Sequence, residues 1–524
     1  MKKVVGRYLS WGLSVLVGIG IFLFWYVAYP HALSYQEQYQ LFLWTWDYFV
    51  ERVSLPGGFA YWLGEFIVQF YYIEWLGALL LALLFVAMQR LTLRLMTTHG
   101  DRSREFNALK LTGPVPMSLS LVPVGLVLWL MGDVNVMLSM VVAIVLALAF
   151  ANIRLFRPPL TPPDSGGEWA DALIIPVVYW LIGPMVWIYI LVRVIQLGWK
   201  HLWTAGWLVA VQMMVYAWLL PQWPLQQAMT GLSYYRIPLH YPQWNGYDKD
   251  MYELIRQDYL VRNERWDEIV KRAQKHQVNT SFWSNCVNLA LSQKRLLADR
   301  MFDFYQSGED ALIIPRTRDL TSMLPSAETF WRLGMVNSAQ RYMFDTQESI
   351  LNGRKSGRCT KRIAECMIVN GHYQTAAKQL DLLKKSLFYR TWAEEAESMM
   401  KDEAKVNAHP VYGRLRQLRY KENFLYNYEE LDKMFGLLFI RSQESGDKDK
   451  EVNKMALDYF MAQMLLKGNL QGFQQYMGVV QQFGGYRQMP LGYQDVMRCI
   501  QMQGRVPDSP YAKYVQRMTE RRRE

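Results

Sequence analysis

Cysteine is scarce, with only Cys286, Cys359, Cys366 and Cys499 in 524 residues. So few thiols exclude a disulfide scaffold. Cys359 and Cys366 lie two helical turns apart, a spacing that suits neither a zinc knuckle nor a redox pair, so buried thiols are expected. The seven histidines show no metal-ligand spacing. No metal and no cofactor is therefore expected. A phosphate loop, a nucleophile elbow and a Gly-rich dinucleotide turn are all lacking, which removes the commonest nucleotide and hydrolase chemistries. Charge is scarce in the first part. Residues 1–220 hold 13 Lys+Arg and 11 Asp+Glu, whereas the remainder holds 44 and 35. The basic excess of the second part is spread along the chain and accompanies no nucleic-acid motif. It reads as a solvated surface, with no nucleic-acid partner expected.

What is present in the first part is long apolar runs. A bilayer span needs about 20 mostly apolar residues. By that measure Tyr8–Tyr29, Ile73–Leu93, Pro116–Met131, Val136–Phe150, Leu173–Val192 and Leu202–Leu220 are six expected spans, the fifth kinked at Pro184. No small-residue cleavage site follows the first, which reads as an uncleaved span. Placing the N-terminus in the cytoplasm puts Lys2, Lys3, Arg7, Arg90, Arg94, Arg102, Arg104, Lys110, Arg154 and Arg157 inside. Arg52, Arg193 and Lys200 are left outside, as the positive-inside rule prefers. Six spans then return the second part to the cytoplasm. The basic residues flanking span six point the other way and would need an odd number of passes, for example if Phe59–Tyr72 dips through the membrane. The side of residues 247–524 stays open at this point.

Residues 30–72 form the first outer loop, and 14 of the 42 residues from His31 to Tyr72 are aromatic. Tyr35, Tyr39, Phe42, Trp46, Phe49 and Val53 recur at helical spacing and predict one apolar stripe. Glu37, Gln40, Trp44, Asp47 and Glu51 fall on the opposite face. "LPGG" ends that helix. A second helix, Phe59–Tyr72, places Tyr61, Glu65, Gln69 and Tyr72 together. The expectation is two amphipathic helices on the membrane surface, rings at headgroup level and carboxylates turned away from lipid. Residues 1–93 resemble multi-span glycosyltransferases that use lipid-linked sugars. These share a cytoplasmic N-terminus, one span and a long first outer loop with two juxtamembrane helices. The resemblance implies a loop acid acting as base or metal ligand, with Asp47 and Glu37 as candidates and Glu65 behind them. A carboxylate suits that task because it can accept a proton from an acceptor hydroxyl. The sequence departs from that class in lacking an adjacent acidic pair and in having fewer spans.

The second part repeats a pattern: a small or polar residue, a ring or aliphatic two on, Ala or a substitute after three more, and an apolar residue four beyond. Gly371, Tyr373, Ala376 and Leu380 fit best. Gly334, Val336, Ala339 and Met343 follow, as do Gly468, Leu470, Phe473 and Met477. Glu264, Trp266, Ile269 and Ala273 match loosely, and Lys294 and Leu296 begin a poor copy. The spacing resembles tetratricopeptide-type helix pairs, in which the small residue would let two helices touch. Residues 221–246, with four prolines and several rings, read as an ordered connector lying on the membrane through Trp223, Tyr234, Tyr235 and Trp244. "RPPLTPPDSGG" at 157–167 reads as a linker, and the Arg521–Arg523 tail as solvated.

The chain as a whole resembles a family of uncharacterised bacterial multi-pass membrane proteins, known only as a domain of unknown function. The likeness is densest in "LSYQEQYQLFLWTWDYF", "PGGFAYWLGEFIVQFYY", "VNLALSQKRLLADRMFDFYQ" and "KSLFYRTWAEE". It implies a bacterial inner-membrane location and no activity. The expectation is therefore an all-α chain. A polytopic membrane domain of about six spans (1–220) leads through the connector 221–246 to an irregular tetratricopeptide-like α-solenoid (247–524). Its partners would be the lipid bilayer and a protein or peptide bound by the repeats. The expected function is a membrane-anchored scaffold for envelope biogenesis. The alternative is a lipid-linked glycosyltransferase-like enzyme with the first outer loop as its floor.

Overall fold

The computed structural model describes residues 2–98, 115–156, 167–232, 234–235, 246–315, 321, 323–350, 354–419, 430–443, 453–482, 486–502, 506 and 508–521. The Pro-rich 157–166, the connector residues 236–245 with Trp244, the basic residues Arg102, Arg104, Lys110 and Arg157, and the end of the Arg521–Arg523 tail lie outside them. The regular secondary structure of the described residues is helical, with one isolated antiparallel bridge, Val136 to Tyr235. The chain divides into unit 1, Met1–Asp248 with Lys385–Phe388, and unit 2, Lys249–Lys384 with Tyr389–Glu524.

Unit 1 comprises α1 (Lys2–Leu23, extended by a π turn Phe24–Ala28), α2 (Pro30–Gln38), α3 (Trp46–Val53), α4 (Gly58–Val68) and α5 (Glu74–Thr98). There follow α6 (Val115–Leu119), α7 (Val122–Leu130), α8 (Leu138–Phe156), α9 (Gly167–Ile182), α10 (Val186–Leu197), α11 (Trp203–Leu219) and α12 (Leu225–Thr230). By length and composition Tyr8–Ala28, Glu74–Thr97, Asp171–Ile195 and Trp199–Leu219 are apolar enough to cross a membrane, and Val115–Leu130 and Leu138–Ile153 are shorter apolar helices.

Side-chain hydrogen bonds give the direction of each helix. Ser14 Oγ donates to Gln89 Oε1 at 2.7 Å, and a Cβ on Gly18 would lie 3.0 Å from Val86. The later residue of α1 meets the earlier residue of α5, so the two are antiparallel with the 30–72 loop at one end. Gln89 Nε2 donates to Ser120 Oγ at 2.8 Å, and α7 runs from there back to the loop end. α8 begins beside the loop, where a Cβ on Gly64 would lie 2.8 Å from Ser139. It runs away from the loop until Asn152 Nδ2 meets Leu91 O at 3.2 Å.

The fifth apolar segment departs from expectation. Arg193 Nη2 lies 3.0 Å from Asp171 Oδ2, and Tyr189 Oη donates to Asp171 Oδ1 at 2.8 Å. In one straight helix, residues 22 apart in sequence would be separated by about 33 Å. The expected kink at Pro184 is therefore a full reversal, through Gly183 at φ +62°. α9 and α10 form a helical hairpin. Its tip lies at the loop end, where Gly57 N–H donates to Trp180 O and Trp180 Nε1 donates to Val53 O, both at 2.9 Å. α11 starts at the other end, with Trp207 Nε1 on Ala172 O at 2.9 Å. The described part of the connector packs beside the hairpin tip. Buried Tyr234 donates its hydroxyl to Ile182 O and accepts from Met185 N–H at 3.2 Å. Its own carbonyl accepts from Met137 N–H at 2.8 Å.

Unit 2 comprises α13 (Lys249–Arg262), α14 (Trp266–Ala273), α15 (Ser281–Gln293), α16 (Leu297–Arg300), α17 (Met323–Leu333), α18 (Val336–Glu348), α19 (Gly357–Asn370) and α20 (Tyr373–Lys384). It continues with α21 (Arg390–Met400), α22 (Glu403–Ala408), α23 (Tyr412–Leu418), α24 (Leu431–Gln443), α25 (Lys454–Lys467), α26 (Leu470–Gln482), α27 (Leu491–Gln501) and α28 (Pro510–Arg521). Helices α17 to α21 each pack on the next. The chain then returns, with α25 and α27 against α16. An open solenoid has no such closing contact.

The repeated motif marks one local structure. Glu264, Arg295, Gly334, Gly371 and Gly468 all take positive φ, from 55° to 85°. The residue after each donates its N–H five residues back: Arg265 to Leu260, Leu296 to Leu291, Met335 to Phe330, His372 to Met367 and Asn469 to Met464, all at 2.8–2.9 Å. This is a Schellman turn joining two helices. Gly371 is thus required for its backbone and not, as the motif predicts, for close helix packing, since a Cβ there would meet nothing within 4 Å. Ala376 is the fully buried position of that motif. Gly371→Ala should lower stability by about 1–2 kcal/mol. Glu264→Gly should change it little, because relief of left-handed strain is offset by loss of the exposed ion pair to Arg332. Thermal melting of the purified protein distinguishes the two, and equal effects would refute the backbone assignment.

Candidate functional site

The 30–72 loop holds the three acids that the sequence singles out. Its first expected helix is in fact two. α2 ends at Gln38, the chain is irregular to Thr45, and α3 starts where Thr45 Oγ1 accepts Tyr48 N–H at 3.3 Å. The break follows from burial of polar side chains that a surface helix would leave wet. His31, Gln36, Glu37, Gln38 and Gln40 are all buried, and Gln40 Nε2 donates to the carbonyl of Glu65 at 2.8 Å. The apolar stripe splits accordingly. Tyr35, Tyr39 and Phe42 are buried, whereas Trp46 is 73% exposed. Glu37, expected on a water-facing side, is 3% exposed.

Glu65 is buried on α4 and has the most complete set of contacts. Its Oε2 accepts from Tyr48 Oη and from Arg52 Nε, each at 2.8 Å. Its Oε1 has no hydrogen-bond partner among the described residues. The Arg52 guanidinium lies over the Tyr48 and Tyr61 rings, 4.4 and 5.4 Å from their centroids, and also reaches Glu51 at 2.6 Å. Burial, with the Glu65 carboxylate beside it, pushes the Tyr48 hydroxyl well above its ordinary pKa. Burial works against the charge of Arg52, but Glu65 more than offsets it and raises the guanidinium pKa. The chemical effect is a clamp: one carboxylate and one guanidinium lock α3 against α4 across the Pro-Gly-Gly turn.

Neither Glu37 nor Asp47 is among the partners of Glu65. Asp47 is exposed in the first turn of α3, where a negative charge favours the helix N-terminus. Of the three acids, Glu37 and Glu65 are thus buried and Asp47 is exposed. Arg52 and Tyr48 were not singled out from sequence. The available signal was an opposite charge on each side of a helix breaker, Arg52 and Glu65 around "LPGG". Beside the clamp, Phe42, Phe49, Phe59, Trp62 and Phe66 form a continuous set of ring contacts, with Trp62 stacked on Phe59 and Phe66. Trp44 and Trp46 join at its exposed edge. Such an edge suits a membrane–water boundary.

Among the described residues, no group of three or more His, Cys, Asp or Glu is placed to hold a metal ion. All four cysteines are buried free thiols, and burial pushes the Cys359 thiol up to about 11.

These features define an all-helical protein whose first unit carries apolar helices of membrane-crossing length. The chain belongs to the family described as "Family of unknown function (DUF6057)", whose model matches residues 7–524. No curated protein and no solved structure matches it.

Proposed function

We propose that this protein is a membrane-anchored scaffold that presents unit 2 on the extracytoplasmic face of a bacterial inner membrane, where its helix pairs dock a protein or peptide in envelope biogenesis. The observation that carries the reading is the α9–α10 hairpin. With it, α1, α5, α6–α7, α8, α9, α10 and α11 alternate in direction and make seven passes. An odd count returns the chain to the loop end, consistent with the connector contacts of Tyr234. It also removes the conflict over the basic residues around span six, because Arg193 and Lys200 then sit at the cytoplasmic end of unit 1. α10, at 12 residues, is about 18 Å long, so the hairpin would sit in a locally thin or protein-lined part of the membrane. Five helix pairs with one shared turn support the tetratricopeptide-like reading of unit 2, closed by its C-terminal helices. Asp47 is exposed, Glu37 is buried, and buried Glu65 is held by Arg52 and Tyr48, which favours the scaffold over a transferase.

The test is topology mapping with reporter fusions after Arg157, Lys200 and Gly246 in the full-length background. Arg157 and Lys200 should report the cytoplasm and Gly246 the opposite side. A cytoplasmic Gly246 would sink the proposal.

A further inference from the structure

Unit 2 holds a cleft of about 820 Å³ between the α15–α16 turn, the start of α25 and the approach to α27. Its volume is in the range of ligand sites. Four cations from separate parts of the chain line it: Arg295, Arg414, Lys454 and Arg487. Three of them, Arg295, Lys454 and Arg487, form no salt bridge among the described residues. The two carboxylates of the cleft are already engaged. Asp299 Oδ1 accepts Leu491 N–H at 2.7 Å, and Asp458 Oδ1 accepts Tyr486 Oη at 2.7 Å. Ser292 also lines the cleft, is 6% exposed, and its hydroxyl has no hydrogen-bond partner among the described residues. Arg295 reaches its position from a left-handed turn that a glycine would make more cheaply.

The cleft therefore has a surplus of positive charge and a polar group left unsatisfied. Its walls alternate apolar Met455, Met489 and Leu491 with the amides of Gln488 and Gln494. That mixture matches a polypeptide, with its alternating apolar and polar side chains and its backbone donors and acceptors, better than a uniformly polar sugar or an acyl chain. We propose that the cleft binds an extended acidic peptide segment whose carboxylates meet Arg295, Arg414, Lys454 and Arg487. The inference rests on the reading of unit 2 as a docking domain and names where and what it docks.

Protonation of the cleft should tune this binding. Burial pushes the Asp458 carboxyl up to about 6, with Asp299 adding to it, against the Tyr486 hydrogen bond and the charges of Arg295 and Lys454. Tyr493 also faces it. Asp458 therefore loses its negative charge as pH falls from about 7 to 5, while glutamates of the peptide, with a pKa of about 4.3, stay ionised. Affinity should rise severalfold over that interval, and Asp458→Asn should flatten the rise.

The experiment is fluorescence anisotropy on the full-length protein in nanodiscs, with a fluorescein-labelled peptide of repeated Glu-Ala-Glu-Leu and its Gln-for-Glu counterpart. The acidic peptide should bind, more weakly as salt rises, and the Gln peptide should not. Arg295→Glu with Lys454→Glu should weaken binding about tenfold or more. The same charge change at exposed Lys275 and Lys401 should matter little, and melting curves show that each variant folds. Absence of binding, or equal loss in the two double variants, overturns the site. Tighter, equally variant-sensitive binding of oligogalacturonate or phosphatidylglycerol vesicles overturns the peptide assignment. A cytoplasmic Gly246 in topology mapping would refute the scaffold's orientation without altering this binding result.

Discussion

Arg193→Leu should destabilise unit 1 by about 3–5 kcal/mol, because it leaves the Asp171 carboxylate buried without its guanidinium. Asp171 is 0% exposed, so it cannot recover the loss by hydration. The loss should show as reduced yield of folded protein in detergent and as an earlier thermal transition. The diagnostic variant is the exchange, Asp171→Arg with Arg193→Asp, which should recover a substantial part of the loss. In a single straight span the two positions would be too far apart to couple, and the two effects would simply add. Additive losses in the double-mutant cycle would therefore remove the hairpin, and with it the seven-pass count.

The second large effect lies in unit 2. Arg358 on α19 forms a two-point pair with Asp258 on α13, Nη1 to Oδ2 at 2.6 Å and Nη2 to Oδ1 at 3.0 Å, with both side chains less than 10% exposed. Burial alone opposes the charge of Arg358, and Asp258 overrides it, so the guanidinium pKa is raised. In a neighbouring pair, Arg362 Nη2 donates to both carboxylate oxygens of Glu328, at 3.0 and 2.9 Å. These pairs tie α19 to α13, the first helix of the unit, and to α17. Asp258→Ala should cost about 3–5 kcal/mol, since it strands a buried cation. Asp258→Leu with Arg358→Met should recover most of that, because an apolar pair of similar volume carries no desolvation penalty. The measurement is chemical or thermal unfolding followed on unit 2 tryptophans. An Asp258→Ala protein with unchanged stability would show that the pair is not buried in solution.

Much of the architecture was legible in the sequence because it depends on local physics. Runs of apolar residues of bilayer length mark α1, α5 and α11. The five motif starts lie at or next to the five left-handed turns, since a helix end that must reverse leaves a short-range mark: a glycine at Gly334, Gly371 and Gly468, and a tolerated strain at Glu264 and Arg295. The physical role assigned to those residues was different, because a preference for small side chains looks the same whether it arises from close packing or from positive φ.

What the tertiary structure decided is what depends on distant partners. Leu173–Val192 has the composition of one span, and only tertiary contacts, those of Asp171 with Arg193 and Tyr189, reveal a reversal. Hydropathy averages over a window and cannot distinguish one long helix from two short ones. Glu37 and Glu65 look like surface acids by periodicity, yet both are buried, because the rest of unit 1 covers faces that a lone amphipathic helix would expose to water. The gathering of Arg295, Lys454 and Arg487 around one cleft and the return of α25 and α27 to α16 likewise join residues far apart in the chain. Composition, periodicity and local spacing carry no information about such pairings, so the sequence by itself determined the helices and their turns, and tertiary packing alone decided which side chains meet.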